Sequence, residues 1–446
     1  MQHSHEALDR PGGFSRVNLL APLRHRDFRL LWTGMTVSLV GDGIFLIAMA
    51  WQAYELWNAP AALSLLGIAM TIPTIAFLLP AGVLSDRLDR RSLMLCADIG
   101  RAVVIAALAV LSLTGLLTFW ELMAIVALYG VGTAFFTPAF EAIVPDIVPA
   151  ADLAAANSLD QFVRPIALRL AGPALGGALV AGVGTGAAFA LDAGSFAAST
   201  IAIFLMRPPA HARSEHAGSS VRAVKEGLHF VRRRIWLWGT LLSAAVAYLA
   251  FMGPAEVLLP YVVKNELHAS ASDLGLVFAA GGVGAIGAAV FMGQRGHPNR
   301  DVTVMYATWT VATLAVAGYG LASASWQLMV ACLSFNALET AGTIVWATIK
   351  QRHVPASMLG RVSSLDWMIS IGLLPLSFAL TAPVADLIGV RATLIGAALI
   401  GGVITLGALF LPGMRDIEGV KFGEQRDDPS LDGDFLRPPA VVDLRR

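Results

Sequence analysis

Gly82-Val83-Leu84-Ser85-Asp86-Arg87-Leu88-Asp89-Arg90-Arg91 is a dense charge cluster set between two long apolar runs. Charge at that density cannot lie in hydrocarbon, so the segment reads as a tight turn between two membrane-spanning helices. The apolar runs on either side are long enough to cross a bilayer, which takes roughly 20 residues as a helix. The rest of the chain has the same character: of 446 residues only 14% are charged and 56% are hydrophobic. The mean hydropathy of +0.68 is too high for a soluble domain of this length.

On the length criterion the sequence predicts about twelve spans, at 28–51, 62–84, 92–113, 119–141, 158–181, 186–206, 236–262, 273–293, 303–322, 326–349, 362–386 and 388–411. Lys and Arg set their orientation. With the N-terminus inside, the cytoplasmic segments hold Arg87, Arg90, Arg91, Arg295, Arg300, Lys350, Arg352, Arg361 and the run Arg232-Arg233-Arg234, whereas the opposite loops hold only Lys264 and Arg391. The exception is the stretch from Ala142 to Asn157, which belongs on the cytoplasmic side and has no basic residue. The polar lead-in, with Arg10, Arg16, Arg24, Arg26 and Arg29 and no small-residue cleavage site, reads as cytoplasmic rather than as a signal peptide. Cys96 and Cys332 read as small core residues in apolar helices, not as a disulfide or metal site.

Arg207-Pro208-Pro209 ends one apolar run, and about 25 polar residues separate it from the next. Two halves result, and they look like copies. Val148-Pro149-Ala150-x-x-Leu153-x-x-x-x-Ser158-Leu159-Asp160 recurs as Val354-Pro355-Ala356-x-x-Leu359-x-x-x-x-Ser364-Leu365-Asp366, an offset of about 206 positions that Leu31-Trp32 and Leu237-Trp238 share. The expected organisation is a cytoplasmic segment 1–27, a six-helix bundle 28–206, a linker 207–235, a second six-helix bundle 236–411 and a polar tail 412–446 without fixed structure.

The pattern G-x-x-x-D-R-x-x-R-R, formed by Gly82, Asp86, Arg87, Arg90 and Arg91, resembles the loop signature of the major facilitator superfamily. Gly41-Asp42-Gly43, Phe135-Phe136-x-Pro138-Ala139 and Ala171-Gly172-Pro173-Ala174-Leu175-Gly176-Gly177 make the chain look most like its bacterial secretion-effector branch, which includes enterobactin-exporter-like and macrolide-efflux-like proteins. The resemblance implies an all-α membrane protein of twelve helices in two pseudo-symmetric bundles. It also implies that the charged loop, through Asp86 and Arg90, latches the cytoplasmic ends of the halves together. Gly172, Pro173, Gly176 and Gly177 match the G-P-x-x-G-G core of an antiporter signature, although Leu168 stands where that signature has Gly. Many proton-driven exporters carry a buried Arg in the fourth helix, and Ala127-Leu128-Tyr129-Gly130-Val131-Gly132 has none.

Charges inside spans need a partner or a wet cavity. Asp42, Arg169, Asp192 and Glu339 lie deepest. Asp42 shares a helical face with Met35, Ser38, Gly41 and Phe45, and Glu339 shares one with Asn336, Thr340 and Thr343. Such a carboxylate can exchange a proton and couple transport to a gradient, or it can be a structural charge held by a hydroxyl or by Arg169. Asp98 and Arg101, three apart, are expected to pair with each other or with the charged loop and to support the gate. Phe45, Tyr129, Phe136, Tyr248, Met252, Asn336 and Trp346 are the expected substrate-cavity residues, with Phe135 and Phe251 beside them. Glu256 is placed near the outer end of the seventh span.

The sequence therefore points to a secondary transporter in the bacterial inner membrane, with both termini cytoplasmic. It is expected to export a small amphiphilic molecule by proton antiport, with uptake by symport or uniport as the alternative. A membrane sensor or enzyme is the reading from another class, and no P-loop, H-E-x-x-H or G-x-S-x-G supports it. No cofactor, metal or nucleic acid is called for; the expected partners are lipid, substrate and protons, and the expected state is monomeric.

Overall fold

The computed structural model describes residues 20–149, 152–207, 227–295, 298 and 300–418. The expectations placed on residues 1–19, 208–226 and 419–446 fall outside them. Among the described residues, twelve helices are long and apolar enough to cross a membrane. They are α1 (Arg26–Leu56), α2 (Pro60–Arg87), α3 (Arg90–Leu113), α4 (Phe119–Ile147), α5 (Ala155–Val183) and α6 (Thr185–Phe204) in the first bundle. The second bundle holds α7 (Ile235–Glu266), α8 (Ala271–Gln294), α9 (Asp301–Leu321), α10 (Ser325–His353), α11 (Val362–Ile388) and α12 (Val390–Ala408). Large apolar side chains cover the outside: Leu387 is 83% exposed and Val403 70%. Water would penalise such a surface, and hydrocarbon does not. Cys96, expected in the core, lies on this outer surface of α3, whereas Cys332 is buried.

Local chemistry fixes where the helices begin. Thr118 and Glu121 form a capping box at the start of α4, and Ser270 with Asp273 does the same work for α8. In the charge cluster it is Asp89 that caps α3, accepting from the Ser92 amide at 3.0 Å. α1 continues past its expected end because Gln52 is satisfied inside the bundle, where it accepts from Ser112 and Thr185. The first residues of the tail, 412–418, are docked rather than loose. Met414 is buried against Thr240 and Tyr306, and the Glu418 carboxylate accepts from the Thr303 amide at the start of α9, at 2.7 Å.

The repeat is visible in the helices. α4 and α10 are both 29 residues long and keep the offset of about 206 at each end. The α5–α6 and α11–α12 turns pass through Gly184 and Gly389 at φ of 98° and 88°, a backbone that side chains with a Cβ rarely adopt. Asp160 and Asp366 at the matched positions are both held by a cation, from Arg164 at 2.8 Å and from Lys350 respectively.

The missing positive charge in the stretch from Ala142 to Asn157 is explained by its acids. Asp146 accepts from Arg90 at 2.7 Å, and Asp152 accepts from Arg24 and His25 of the lead-in at 2.8 Å each. Hydrogen bonds from His25 and Arg24 hold the Asp152 carboxyl below the usual carboxylate range.

α5 is not a uniform helix. Residues Pro165–Ala171 form a π-helical stretch between two α-helical parts, and Gly172 closes it by donating to the Ala167 carbonyl. The expected bend thus sits just before Pro173, which has no amide hydrogen to offer the Arg169 carbonyl. The glycines of the motif then let three helices meet. A Cβ on Gly172 would lie 2.6 Å from the Gly43 Cα of α1, and one on Gly177 would lie 2.9 Å from the Gly275 Cα of α8.

That last contact joins the two bundles, as do the others at the same end. Tyr54 donates to the Val257 carbonyl at 2.7 Å, Asn58 to Asn265 at 2.8 Å, and Lys264 lies over the Trp51 ring at 4.6 Å. A disulfide between Asn58→Cys and Asn265→Cys, in a Cys96→Ser background, is therefore expected to form readily in membranes. Adding Gly177→Val, whose side chain cannot fit against α8, should lower its yield severalfold on non-reducing gels.

Candidate functional site

Two glycines seat α1 in the first bundle. A Cβ at Gly41 would collide with Ser195 and Asp192 of α6, and one at Gly43 would lie 2.8 Å from the Gly172 Cα of α5. Asp42, between them, is carried into the interior. Its Oδ1 accepts from the Tyr129 hydroxyl of α4 at 2.6 Å, and the Tyr129 ring stacks on Phe45 at 4.8 Å.

Beside this pair lies a buried ionic cluster. Arg101 of α3 pairs with Asp98, and its guanidinium sits between the rings of Phe136 and Phe196, 4.5 Å from each centroid. Ser199 of α6 donates to the other Asp98 oxygen at 2.6 Å. Gly132 of α4 makes the room, since a Cβ there would lie 2.6 Å from the Arg101 Cγ. The guanidinium absent from α4 is thus supplied by α3, across the backbone of Gly132. Arg101 and Asp98 both act electrostatically on Asp42. Asp192 of α6 is fully buried; Ser195 donates to its Oδ1 at 3.1 Å, while Oδ2 has no hydrogen-bond partner.

Arg169 is not the partner of Asp42. It points from α5 toward the second bundle, is exposed there, and donates weakly to Asn336 of α10 at 3.4 Å. The bonds of the π-helical stretch turn α5 relative to a regular helix, which the sequence spacing alone does not reveal. Glu256 of α7 is also exposed and lies within electrostatic reach of Arg169.

The second bundle holds a cavity of ≈ 440 Å³, counted with its open mouth. Tyr248 and Phe251 of α7, Tyr306 and Trp309 of α9, and Phe335 and Glu339 of α10 line it. Phe251 meets Tyr248 and Phe335 edge-on at 5.7 and 6.0 Å. Glu339 accepts from Thr343 at 3.0 Å. Tyr306 and Trp309 were not among the expected cavity residues; their i, i+3 spacing on an otherwise apolar span is the signal that marks them.

Of the expected cavity residues, Tyr248 lines this space and Met252 lies one turn further along α7, half-buried. Phe45 and Tyr129 are buried in the first bundle and Phe136 covers Arg101. Trp346 is packed away from the cavity, donating to Asp366 at 2.8 Å and meeting Trp236 edge-on. Of the expected gate residues, Arg90 holds Asp146 and the Ala142 carbonyl of α4, and Arg91 binds the carbonyl of Ile203 at the end of α6. The side chains of Asp86 and Arg87 lie outside the described residues.

Removing one member of a buried ion pair strands the other in low dielectric. Asp98→Asn and Arg101→Met should each lower the stability of the detergent-solubilised protein by about 3–5 kcal/mol. The double variant should lose clearly less than the two losses added together, as a thermal-unfolding double-mutant cycle would read.

Comparison with known proteins gives a consistent picture. The pattern of the transmembrane secretion effector family matches residues 17–430. Macrolide efflux protein A of Streptococcus pyogenes is 24% identical over 368 residues, 82% of this chain and 90% of that protein. The enterobactin exporter EntS of Citrobacter koseri is 28% identical over 408 residues, 89% of each. An uncharacterized transporter of Bacillus subtilis, YfiS, is 26% identical over 271 residues, 59% of this chain and 63% of that protein. Among solved structures, a bacterial homologue of the iron transporter ferroportin in its inward-facing state superposes with a TM-score of 0.66 at 15% identity, over 86% of this chain and 99% of that one.

Proposed function

Because the chain belongs to the transmembrane secretion effector family, we propose that it exports a small amphiphilic molecule across the bacterial inner membrane by proton antiport. Its membership makes it a multi-pass membrane transporter of small molecules, not an enzyme. Export is supported by the relatives that are themselves exporters. Cytoplasmic termini are supported by the Lys/Arg bias.

The contacts between the bundles support an alternating-access reading. Substrate enters from the lead-in end and leaves by the other end once the contacts of Tyr54, Asn58 and Gly177 across the bundles separate. The lead-in end then closes, with the loop of Asp86 and Arg90 as its latch and Gly82, Arg87 and Arg91 shaping the turn. In the present arrangement Arg90 is engaged inside its own bundle.

The observation that carries the coupling is the Asp42–Tyr129 hydrogen bond at 2.6 Å beside the Arg101–Asp98 pair. A proton arriving at Asp42 removes the charge that Arg101 and Tyr129 stabilise, and so shifts the balance between the two packings of α1 against α4. Asp192, Glu339 and Arg169 are the remaining buried or cavity charges able to take part in that exchange.

In proteoliposomes with an imposed pH gradient, Asp42→Asn should abolish uphill transport. Downhill exchange should persist, because the amide resembles the protonated acid. Parent-level uphill transport by this variant would remove Asp42 from the coupling. Arg90→Ala should reduce transport about tenfold or more at matched membrane abundance, since closing the lead-in end depends on that turn. Unchanged flux would dismiss the latch.

A further inference from the structure

We infer that the cavity of the second bundle recognises the cationic head of an amphiphilic substrate, an organic ammonium or phosphonium, with Glu339 as its counter-charge and Tyr248, Trp309 and Phe335 as its aromatic wall. The inference deepens the transport reading by naming a substrate class, and it rests on that reading only for the cavity's being the substrate site.

Glu339 supplies the first part of the argument. A carboxylate at mid-membrane depth needs a partner. Among the described residues Glu339 has one, the Thr343 hydroxyl a turn away on the same helix, and no cation lies within ion-pair distance. Aromatic rings surround the same space, and their negative faces attract cations.

The remaining charges nearby leave the space acidic. Arg169 reaches toward it from α5, keeps its charge on the neutral Asn336 amide and offsets one of the two carboxylates, Glu339 and Glu256. Glu256 of α7, one helical turn beyond Met252, has no ion pair among the described residues. α9 supplies no counter-ion, because no Lys or Arg occurs between Asp301 and Leu321.

The first bundle shows that this scaffold can hold a cation inside, with residues at other positions than those of the cavity. Under the offset of about 206, Phe45 and Tyr129 correspond to Phe251 and Phe335, and Asp42 to Tyr248. In the first bundle a guanidinium occupies the interior, held between two aromatic rings at 4.5 Å and paired with a carboxylate. The counterparts of Phe136 and Phe196 are Gly342 and Gly402 and that of Asp98 is Val304, so the second bundle carries its rings and its carboxylate at other positions, around a cavity where no side chain of its own brings a cation.

The test is equilibrium dialysis of the purified full-length protein in detergent with labelled tetraphenylphosphonium, corrected for uptake by micelles alone. Tetraphenylborate, an anion of the same shape, serves as competitor. The cation should bind and the anion should not displace it. Glu339→Gln should weaken binding about tenfold or more. Glu339→Asp should restore most of it, and Glu141→Gln, on the exposed face of α4, should change nothing. If Glu339→Gln is not monodisperse, Trp309→Ala and Tyr248→Leu carry the same expectation.

Absence of cation binding, displacement by the anion, or parent-like binding by Glu339→Gln would overturn the inference. Dialysis involves no gradient, so the two readings fail separately. Cation binding without uphill export would leave the pocket and dismiss the antiport. Uphill export by a protein that binds no cation would do the reverse.

Discussion

The Arg101 guanidinium, closed between Phe136 and Phe196 and paired with Asp98, is the charge around which the first bundle is assembled. Moving an ion out of water costs several kcal/mol even after relaxation, so the surrounding helices must present compensating groups together or not at all. α3 supplies the cation and its acid, α4 the ring of Phe136 and the room at Gly132, and α6 the ring of Phe196 and the hydroxyl of Ser199. Asp42 and Tyr129 extend the cluster to α1. The packing of four helices is thereby tied to one electrostatic requirement, and a change of charge at Asp42 is felt by all of them.

The bundles are related in backbone and different in interior. α4 and α10 match in length, and the turns at Gly184 and Gly389 match in conformation. Nevertheless the first interior closes around the Asp98–Arg101 pair, and the second keeps a cavity with Glu339 on its wall. Duplication explains the common scaffold, and divergence of a few side chains separates the half that holds charge from the half that holds space. Between them, contact depends on small residues. Gly177 and Gly275 allow α5 and α8 to approach as closely as the backbone permits, and such contacts can form and part without rearranging large side chains.

The number of spans, the turn at Gly82–Arg91 and the duplicated scaffold were all legible in the chain, because hydrophobic length and turn chemistry are local properties. So was the pairing of Asp98 with Arg101, since residues three apart on a helix are neighbours. Local reading failed where distant segments meet. The acidic stretch after α4 lacks basic residues of its own because Arg90, Arg24 and His25 reach its carboxylates from other segments. The start of the tail is polar in sequence yet docked, through Met414 against α7 and Glu418 against α9.

The sequence by itself determined an all-helical membrane protein with two related halves and deep charges at Asp42, Asp192, Arg169 and Glu339. Only the tertiary structure decided which of those charges meet. Asp42 lies with Tyr129 and Arg101 rather than with Arg169, because a π-helical stretch turns α5 toward the other bundle and Gly132 lets Arg101 cross α4. Periodicity gives the face of one helix, but the rotation and spacing of its neighbours depend on small residues and backbone irregularities that only the packed bundle expresses.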